Sequence, residues 1–178
     1  MESDLSQVDI AVEVNRFFND SSLANGAPLQ FALVLGPIAT GKTRHRREKY
    51  SQGYVVVDAA DIFISLSRGQ YIDFPSSLEE PLDIIGATVA RRAIQERRHI
   101  VTEIIGHEEA PTHQLIDAIV AIGYKVNLDY IHKDVAEAWE WNVKRSDDNI
   151  SAYYTEPFHR RWLIGATAES SSDGTHRA

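Results

Sequence analysis

The sequence of 178 residues has no cysteine, no long apolar run and a deficit of basic residues. The absence of cysteine excludes disulfide bridges, thiolate metal sites and cysteine nucleophiles, and it is typical of a reducing compartment. No window approaches the about 18 consecutive apolar residues that a membrane-spanning helix requires. The chain opens with Met-Glu-Ser-Asp, which is acidic where a secretion signal is basic. We therefore expect a cytoplasmic protein that does not contact a membrane.

The excess of acidic residues makes a general nucleic-acid partner unfavourable. The formal charge is −8, from 18 Lys and Arg residues against 26 Asp and Glu residues, so the protein as a whole repels phosphate backbones. Hydrophobic residues make up 43% of the chain, which is enough to fill the interior of one globular domain. We expect that domain over residues 1–166, with a flexible tail at 167–178.

Four short apolar runs, rich in β-branched and aromatic residues, predict β-strands at Phe31–Leu35, Tyr54–Val57, His99–Ile105 and Val126–Ile131. Their near-continuous apolar character indicates that both faces of each strand are covered. Helical spacing and capping residues predict helices at 5–18, 42–50, 76–98, 111–122 and 135–144. Gly123 is expected to close the helix at 111–122, and Asp134 is expected to cap the start of the helix at 135–144. Because strands and helices alternate, we expect an α/β fold with a mostly parallel central sheet and helices on both faces.

The segment after the first predicted strand matches the pattern G-x-x-x-x-G-K-[ST] of a phosphate-binding loop, or P-loop. It consists of Gly36, Pro37, Ile38, Ala39, Thr40, Gly41, Lys42 and Thr43. Glycines allow backbone N–H groups to wrap a phosphate chain, and the following helix N-terminus adds partial positive charge. Lys42 is expected to neutralise the outer phosphates, and the Thr43 hydroxyl is expected to ligate Mg²⁺. The motif predicts a three-layer fold of the P-loop NTPase type that binds ATP and Mg²⁺.

The helix after this loop carries several basic residues that raise the alternative of a nucleic-acid surface: Arg44, Arg46, Arg47 and Lys49. On a helix these side chains point in more than one direction, so we expect a solvated basic helix rather than a nucleic-acid interface. No nucleic-acid partner is therefore expected.

Carboxylates near the ends of predicted strands are candidates for catalysis or metal binding. Asp58 and Asp61 follow the second strand, which we expect beside the P-loop strand, and they lie one helical turn apart if a helix begins there. One acid could accept the proton of an attacking hydroxyl, and another could hold Mg²⁺ through water. The alternatives are a helix N-cap for Asp58 and a partner of the helix dipole for Asp61.

Glu103 lies within an apolar strand, where an unpaired charge would cost several kcal/mol. We expect it to lie near the end of the strand, where it would order Mg²⁺ or the substrate hydroxyl. The alternative is a structural pairing with a buried arginine.

Arginines flank a polar stretch late in the chain and predict a lid at about 145–160. Arg145 and one of Arg160 and Arg161 would close onto the transferring phosphoryl group and exclude water. The alternative is that these arginines pair with neighbouring aspartates at the surface.

From Phe31 to about Trp162 the sequence resembles the zeta toxin family of small P-loop kinases. The resemblance rests on the P-loop, on the Asp-x-x-Asp-x-Phe sequence after the second strand, on Glu103, and on the arginines either side of Asp147-Asp148. It implies ATP- and Mg²⁺-dependent phosphorylation of a hydroxyl on a small molecule, typically UDP-N-acetylglucosamine. It also implies a protein partner, an antitoxin that blocks the nucleotide site.

The same resemblance implies roles for individual residues: Asp61 as the catalytic base, Lys42 and Thr43 as the phosphate and Mg²⁺ residues, and Arg145 with Arg160 or Arg161 as lid clamps. Asp58 and Glu103 remain candidates for holding Mg²⁺ through water.

The loop is also similar to that of adenylate and tRNA isopentenyltransferases, through Gly36-Pro37 and the run from Ala39 to Thr43. In those enzymes the loop holds a pyrophosphate, and an Asp after the second strand activates an adenine amine. A catalytically idle nucleotide-binding module is a third alternative. Our first prediction is a kinase that transfers the γ-phosphoryl group of ATP to a small-molecule hydroxyl.

Overall fold

Strands and helices alternate along the chain in the computed structural model, which describes residues 9–37, 39–67, 79–105 and 109–144. The elements in chain order are α1 (Ile10–Arg16), β1 (Gln30–Leu35), α2 (Lys42–Lys49), β2 (Tyr54–Val57), α3 (Ala59–Ser67), α4 (Glu79–Gln95), β3 (His99–Ile104), α5 (Glu109–Ala121), β4 (Lys125–Tyr130) and α6 (Val135–Val143). The predicted α/β class is confirmed. The predicted lid and tail lie outside the described residues.

The strands form one parallel sheet in the order β2-β3-β1-β4. The expectation that the second strand lies beside the P-loop strand is wrong, because β3 lies between β2 and β1. Strand β2 is short and contains only one fully buried residue, Val55, whereas β3 buries both Ile100 and Val101. The strand with more buried residues takes the inner position, and β2 takes the edge.

Strand β1 lies where the chain changes direction across the sheet, since β3 flanks it on one side and β4 on the other. In parallel sheets ligands bind in the crevice at the carboxyl ends of the strands, at such a switch point. The P-loop leaves β1 at this place, after Leu35. The topology therefore positions the P-loop at the carboxyl end of a central strand.

Helices cover the two faces of the sheet. On one face α1, α3, α4 and α5 contribute to a large apolar core, in which α4 buries Ile85, Val89 and Ala93 on one side, as its spacing predicts. On the other face Tyr50, at the end of α2, packs on the strands. Within the described residues, no helix has the length and apolarity to cross a membrane.

The outer strand β4 departs from the expectation that both faces of every strand are covered. Its residues Leu128 and Tyr130 are more than half exposed, whereas Leu33 and Val34 of the central strand β1 are completely buried. An edge position removes one neighbouring strand and much of the helical cover. The apolar pattern predicted the strand correctly but not its place in the sheet.

Helix ends agree with the predicted caps more closely than with the predicted lengths. Gly123 has φ +92°, and its N–H donates to the carbonyl of Val120 to close α5 as predicted. The Asp134 side chain accepts from the N–H groups of α6, also as predicted. Helix α1 begins after Asp9, whose carboxylate caps it, later than predicted, and residues 5–8 lie outside the described part of the chain.

Candidate active site

The P-loop leaves β1 at a position that only glycine can occupy. A Cβ on Gly36 would lie 2.5 Å from the carbonyl oxygen of Ile131, and the φ angle of Gly36 is +153°. Gly41, just before α2, has φ +98° and is also left-handed. Both glycines of the motif are therefore required by the backbone itself.

Other residues of the loop fix its shape. Ala39 adopts φ +62°, a left-handed conformation that is costly for a residue with a Cβ. Thr40 is buried, and its hydroxyl donates to the carbonyl of Pro37 at 2.8 Å. Ile38 lies outside the described residues.

Lys42 folds back across the loop. Its Nζ donates to the carbonyls of Gly36 and Pro37, each at 2.8 Å. The backbone carbonyls of the loop thus hold the ammonium group at the segment that the motif assigns to phosphate binding. The first turn of α2 contains no acidic residue, so its N-terminal partial charge favours an anion.

A cluster of charged side chains lies beside the loop, and we call it the Arg46 cluster: Arg46, Asp58, Asp61 and Glu103. Arg46 comes from α2, Asp58 and Asp61 from the start of α3, and Glu103 from β3. The Arg46 side chain is only 5% exposed. The expectation that the basic residues of α2 are all solvated is therefore wrong for Arg46, because three carboxylates surround it and compensate its burial.

The contacts of the cluster form a continuous chain. The Thr43 hydroxyl donates to Glu103 Oε2 at 3.0 Å, and the other oxygen of Glu103 accepts from Nε of Arg46. The terminal Nη2 of Arg46 donates to Asp61 Oδ2 at 2.7 Å and lies 3.9 Å from Asp58 Oδ2. Both interpretations of Glu103 are thus compatible with the structure, since it contacts a buried arginine and the predicted Mg²⁺ ligand.

Asp58 is an acid of the cluster whose pKa is strongly raised. Burial, together with the negative charges of Glu103 and Asp61, raises its pKa to about 6. The pKa of Arg46 is raised. Burial alone would lower this pKa, but the hydrogen bond to Glu103 and the charges of the surrounding carboxylates outweigh that effect. The guanidinium therefore remains charged, and Asp58 takes up a proton at a higher pH than an ordinary aspartate does.

Asp58 and Asp61 have different surroundings. Asp58 caps α3, since its carboxylate accepts from the N–H of Asp61 at 3.1 Å, which matches the N-cap alternative. Asp61 remains 25% exposed. It lines a groove of about 360 Å³ together with Arg16, Phe17, Asp20, Ser51, Tyr54, Val56, Ile64 and Ser65. Of these two acids, Asp61 is the more exposed and the one that lines this groove, which contains no described residue of the P-loop.

Thr43 and Glu103 are the residues that fit a magnesium ion. Mg²⁺ prefers oxygen ligands and keeps several waters, so one hydroxyl, one nearby carboxylate and substrate phosphates suffice to hold it. Asp58 instead turns towards Arg46 and the α3 backbone. In the part of the chain that the structure describes, no group of three or more His, Asp or Glu side chains could hold a metal ion. The predicted lid residues Arg145, Arg160 and Arg161 lie outside that part.

A second charged group, the Asp129 cluster, was not predicted: Asp129, His45, Lys49 and Tyr50. Asp129 accepts hydrogen bonds from Lys49 at 2.8 Å and from the Tyr50 hydroxyl at 2.7 Å, and His45 Nε2 lies at 2.8 Å. Burial would raise the pKa of Asp129, but these hydrogen bonds outweigh it and lower the pKa to about 2. The available signal was an aspartate inside an apolar strand, which requires a partner.

Arg46 is the residue of the candidate site that the sequence analysis missed. Nothing local to α2 separates it from its exposed neighbours Arg44 and Arg47. The signal lay elsewhere, in the buried acid predicted on β3, since a buried carboxylate requires a cation.

Comparison with solved structures identifies similar folds at low sequence identity. The PezAT chromosomal toxin–antitoxin system of Streptococcus pneumoniae matches with TM-score 0.58 and 15% identity over 80% of this chain. The Pnkp1/Rnl/Hen1 RNA repair complex matches with TM-score 0.57 and 12% identity over 83%. The complex of AvrRxo1-ORF1 with AvrRxo1-ORF2 and sulphate ions matches with TM-score 0.54 and 16% identity over 92%.

These matches confirm the predicted α/β fold, and at the level of fold the match to a toxin–antitoxin system agrees with the predicted resemblance to the zeta toxin family. The chain spans 62%, 49% and 55% of the lengths of the three matched chains. No family model matches the sequence, and no curated protein is significantly similar to it.

Proposed function

We propose that the protein is an ATP- and Mg²⁺-dependent phosphotransferase that moves the γ-phosphoryl group to a hydroxyl of a small molecule, such as a UDP-sugar. The observation that carries this proposal is the contact chain from the P-loop residue Thr43 through Glu103 and Arg46 to Asp61. It joins a phosphate-binding loop to a partly exposed carboxylate that lines a groove. A loop that only bound nucleotide would not require that carboxylate.

In the proposed reaction the acceptor oxygen attacks the γ-phosphorus, and the bond from that phosphorus to the β,γ-bridging oxygen breaks, releasing ADP. Asp61 accepts the hydroxyl proton through the carboxylate that faces the groove. Lys42 and the N-terminus of α2 hold the β- and γ-phosphates. Thr43 and Glu103 would hold Mg²⁺, which when bound neutralises phosphate charge. The predicted lid arginines, Arg145 and Arg160 or Arg161, would complete the clamp.

A protein partner is part of the proposal. Two matched structures carry partners in their names, since one is a toxin–antitoxin system and another pairs AvrRxo1-ORF1 with AvrRxo1-ORF2. By analogy, an antitoxin that blocks the nucleotide site would bind this chain.

The test is incubation of the full chain with γ-labelled ATP, Mg²⁺ and a metabolite extract. We expect the label to appear on a small molecule, and Lys42→Ala to abolish both labelling and ATP binding. Lys49→Ala, on the same helix but in the Asp129 cluster, is the matched control and should retain activity. ATP binding without label transfer would support the idle module. Consumption of a dimethylallyl donor with no loss of label from ATP would support prenyl transfer.

A further inference from the structure

Arg46 is a buried arginine that holds two functional groups at once. Its Nε donates to Glu103, and its Nη2 donates to Asp61 at 2.7 Å. A guanidinium can do this because its N–H groups form a planar fork with separate directions, whereas an ammonium group is a single point charge. The two carboxylates come from different elements, β3 and α3, so Arg46 ties those elements to α2.

The position of Arg46 on α2 links it to the P-loop. Thr43 and Arg46 are one helical turn apart on the same helix, and both contact Glu103, one at each carboxylate oxygen. A metal held by Thr43 and Glu103 would compete for oxygens that now accept from the protein. Movement of Glu103 towards that metal would change the restraint on Arg46 and thereby on Asp61.

The charge balance of the cluster adds to this coupling. Three carboxylates surround a single guanidinium, so negative charge is in excess, and any added cation redistributes the pairing. The guanidinium side chain is 5% exposed, and water therefore cannot readily substitute for a lost contact. A change at Glu103 is compensated within the cluster rather than by solvent.

We propose that Arg46 is a positioning residue that couples the phosphate and metal side of the site to the placement of Asp61. This inference rests on the proposed function and extends it to a residue outside the P-loop motif. Arg46 does not touch the reacting atoms. It transmits the arrival of the nucleotide at Thr43 and Glu103 to the carboxylate that receives the acceptor's proton.

The test compares Arg46→Lys with Arg47→Lys, the same substitution at the exposed neighbouring position on α2. Backbone amide NMR signals of Thr43, Glu103 and Asp61 are followed while Mg²⁺ and a non-hydrolysable ATP analogue are added to the full chain. In the parent and in Arg47→Lys all three signals should shift. In Arg46→Lys the Thr43 signal should still shift, while the shift at Asp61 should fall to less than about half, because a lysine ammonium does not reproduce the planar fork with which the guanidinium contacts both carboxylates.

Kinetics supply the second readout. Arg46→Lys should leave the KM for ATP within about threefold and reduce kcat by about 30-fold or more, as expected for a misplaced base. The proposal would be overturned if the Asp61 signal in Arg46→Lys shifted as far as it does in the parent, or if kcat in Arg46→Lys equalled that of the parent. If that variant does not fold, Glu103→Gln, which changes the link between Thr43 and Arg46 in the same chain of contacts, should give the same loss of the Asp61 shift while its Thr43 signal still shifts.

The outcome also separates this inference from the proposed function. If the Thr43 signal of the parent does not shift, no nucleotide binds and the proposed function itself fails. If Thr43 shifts but Asp61 does not respond in the parent, nucleotide binding stands and only the coupling through Arg46 is contradicted.

Discussion

Helix α2 carries two charged clusters with opposite compositions. In the Arg46 cluster one cation lies among three carboxylates. In the Asp129 cluster one carboxylate lies among Lys49, Tyr50 and His45. The first cluster has one acid whose pKa is raised to about 6, and the second has an acid whose pKa is lowered to about 2. Both are built from the same helix, so the difference arises from what the strands bring to it.

Both clusters contain ion pairs, so an ion pair alone does not separate a reactive site from a structural one. The ratio of cations and donors to carboxylates is what differs between them. A carboxylate that accepts hydrogen bonds from several donors gains little free energy by binding a further cation or proton. Carboxylates that share one cation are short of positive charge, and a metal or a substrate proton can supply it. This difference supports our proposal that the Arg46 cluster takes part in the chemistry, whereas the Asp129 cluster anchors β4 on α2.

The largest expected effect separates the two clusters by activity. Asp61→Asn should slow phosphoryl transfer by about 10² or more and leave ATP affinity nearly unchanged, because the amide cannot accept the hydroxyl proton. Asp129→Asn should leave transfer within a few-fold of the parent, despite changing a better-bonded carboxylate. Label transfer from ATP and calorimetry of ATP binding measure both variants. Equal losses in the two variants would contradict the assignment.

The P-loop was predictable from the sequence because its requirements are local. Gly36 and Gly41 are fixed by positive φ angles within a few residues of chain, and Lys42 and Thr43 follow from the motif. The cap at Asp58 was likewise visible as an acid directly before a helix. Local backbone geometry leaves a signature in consecutive residues.

The Arg46 cluster and the strand order were not predictable, because they depend on distant parts of the chain. Arg46 reaches Glu103 because β3, and not β2, is the strand next to β1, after which the P-loop and α2 follow. The sequence identified Asp58, Asp61 and Glu103 as separate acids and expected β2 in the position that β3 takes. Because the strand beside β1 was predicted wrongly, the sequence did not show that the three acids share Arg46.

A smaller effect appears in the pH dependence of stability, where the two clusters should respond with opposite sign. The folded-state pKa of Asp58, about 6, lies above its ordinary value of 3.8, so the folded protein binds this proton more tightly than the unfolded chain. Relative to Asp58→Asn, the parent should therefore gain roughly 1–3 kcal/mol of unfolding free energy as the pH falls from 7 to about 4.

Asp129 should behave in the opposite way. Its folded-state pKa of about 2 lies below 3.8, so its contribution is present above pH 4 and disappears as the pH falls through about 2. Relative to Asp129→Asn, the parent should keep a constant advantage between pH 7 and 5 and lose it in stronger acid. Urea unfolding of the parent and both variants across this range measures the signs, and parallel pH profiles for all three proteins would contradict them.

The smallest expected effect comes from a third ion pair on α2, which tests whether charge alone accounts for the contrast. Arg44 donates to Glu48 at 2.8 Å, as short as the contact of Lys49 with Asp129, but the two side chains are 78% and 63% exposed. Water competes for both charges, and salt screens them. Arg44→Met should therefore change the Tm by less than about 2 °C, and this small change should vanish in 0.5 M salt, a concentration at which the Debye length is only about 4 Å. Scanning calorimetry at low and high salt measures the Tm of Arg44→Met and of the parent. A loss of Tm as large as that of Asp129→Asn would mean that burial and the number of hydrogen-bond partners do not govern the charged contacts of this helix.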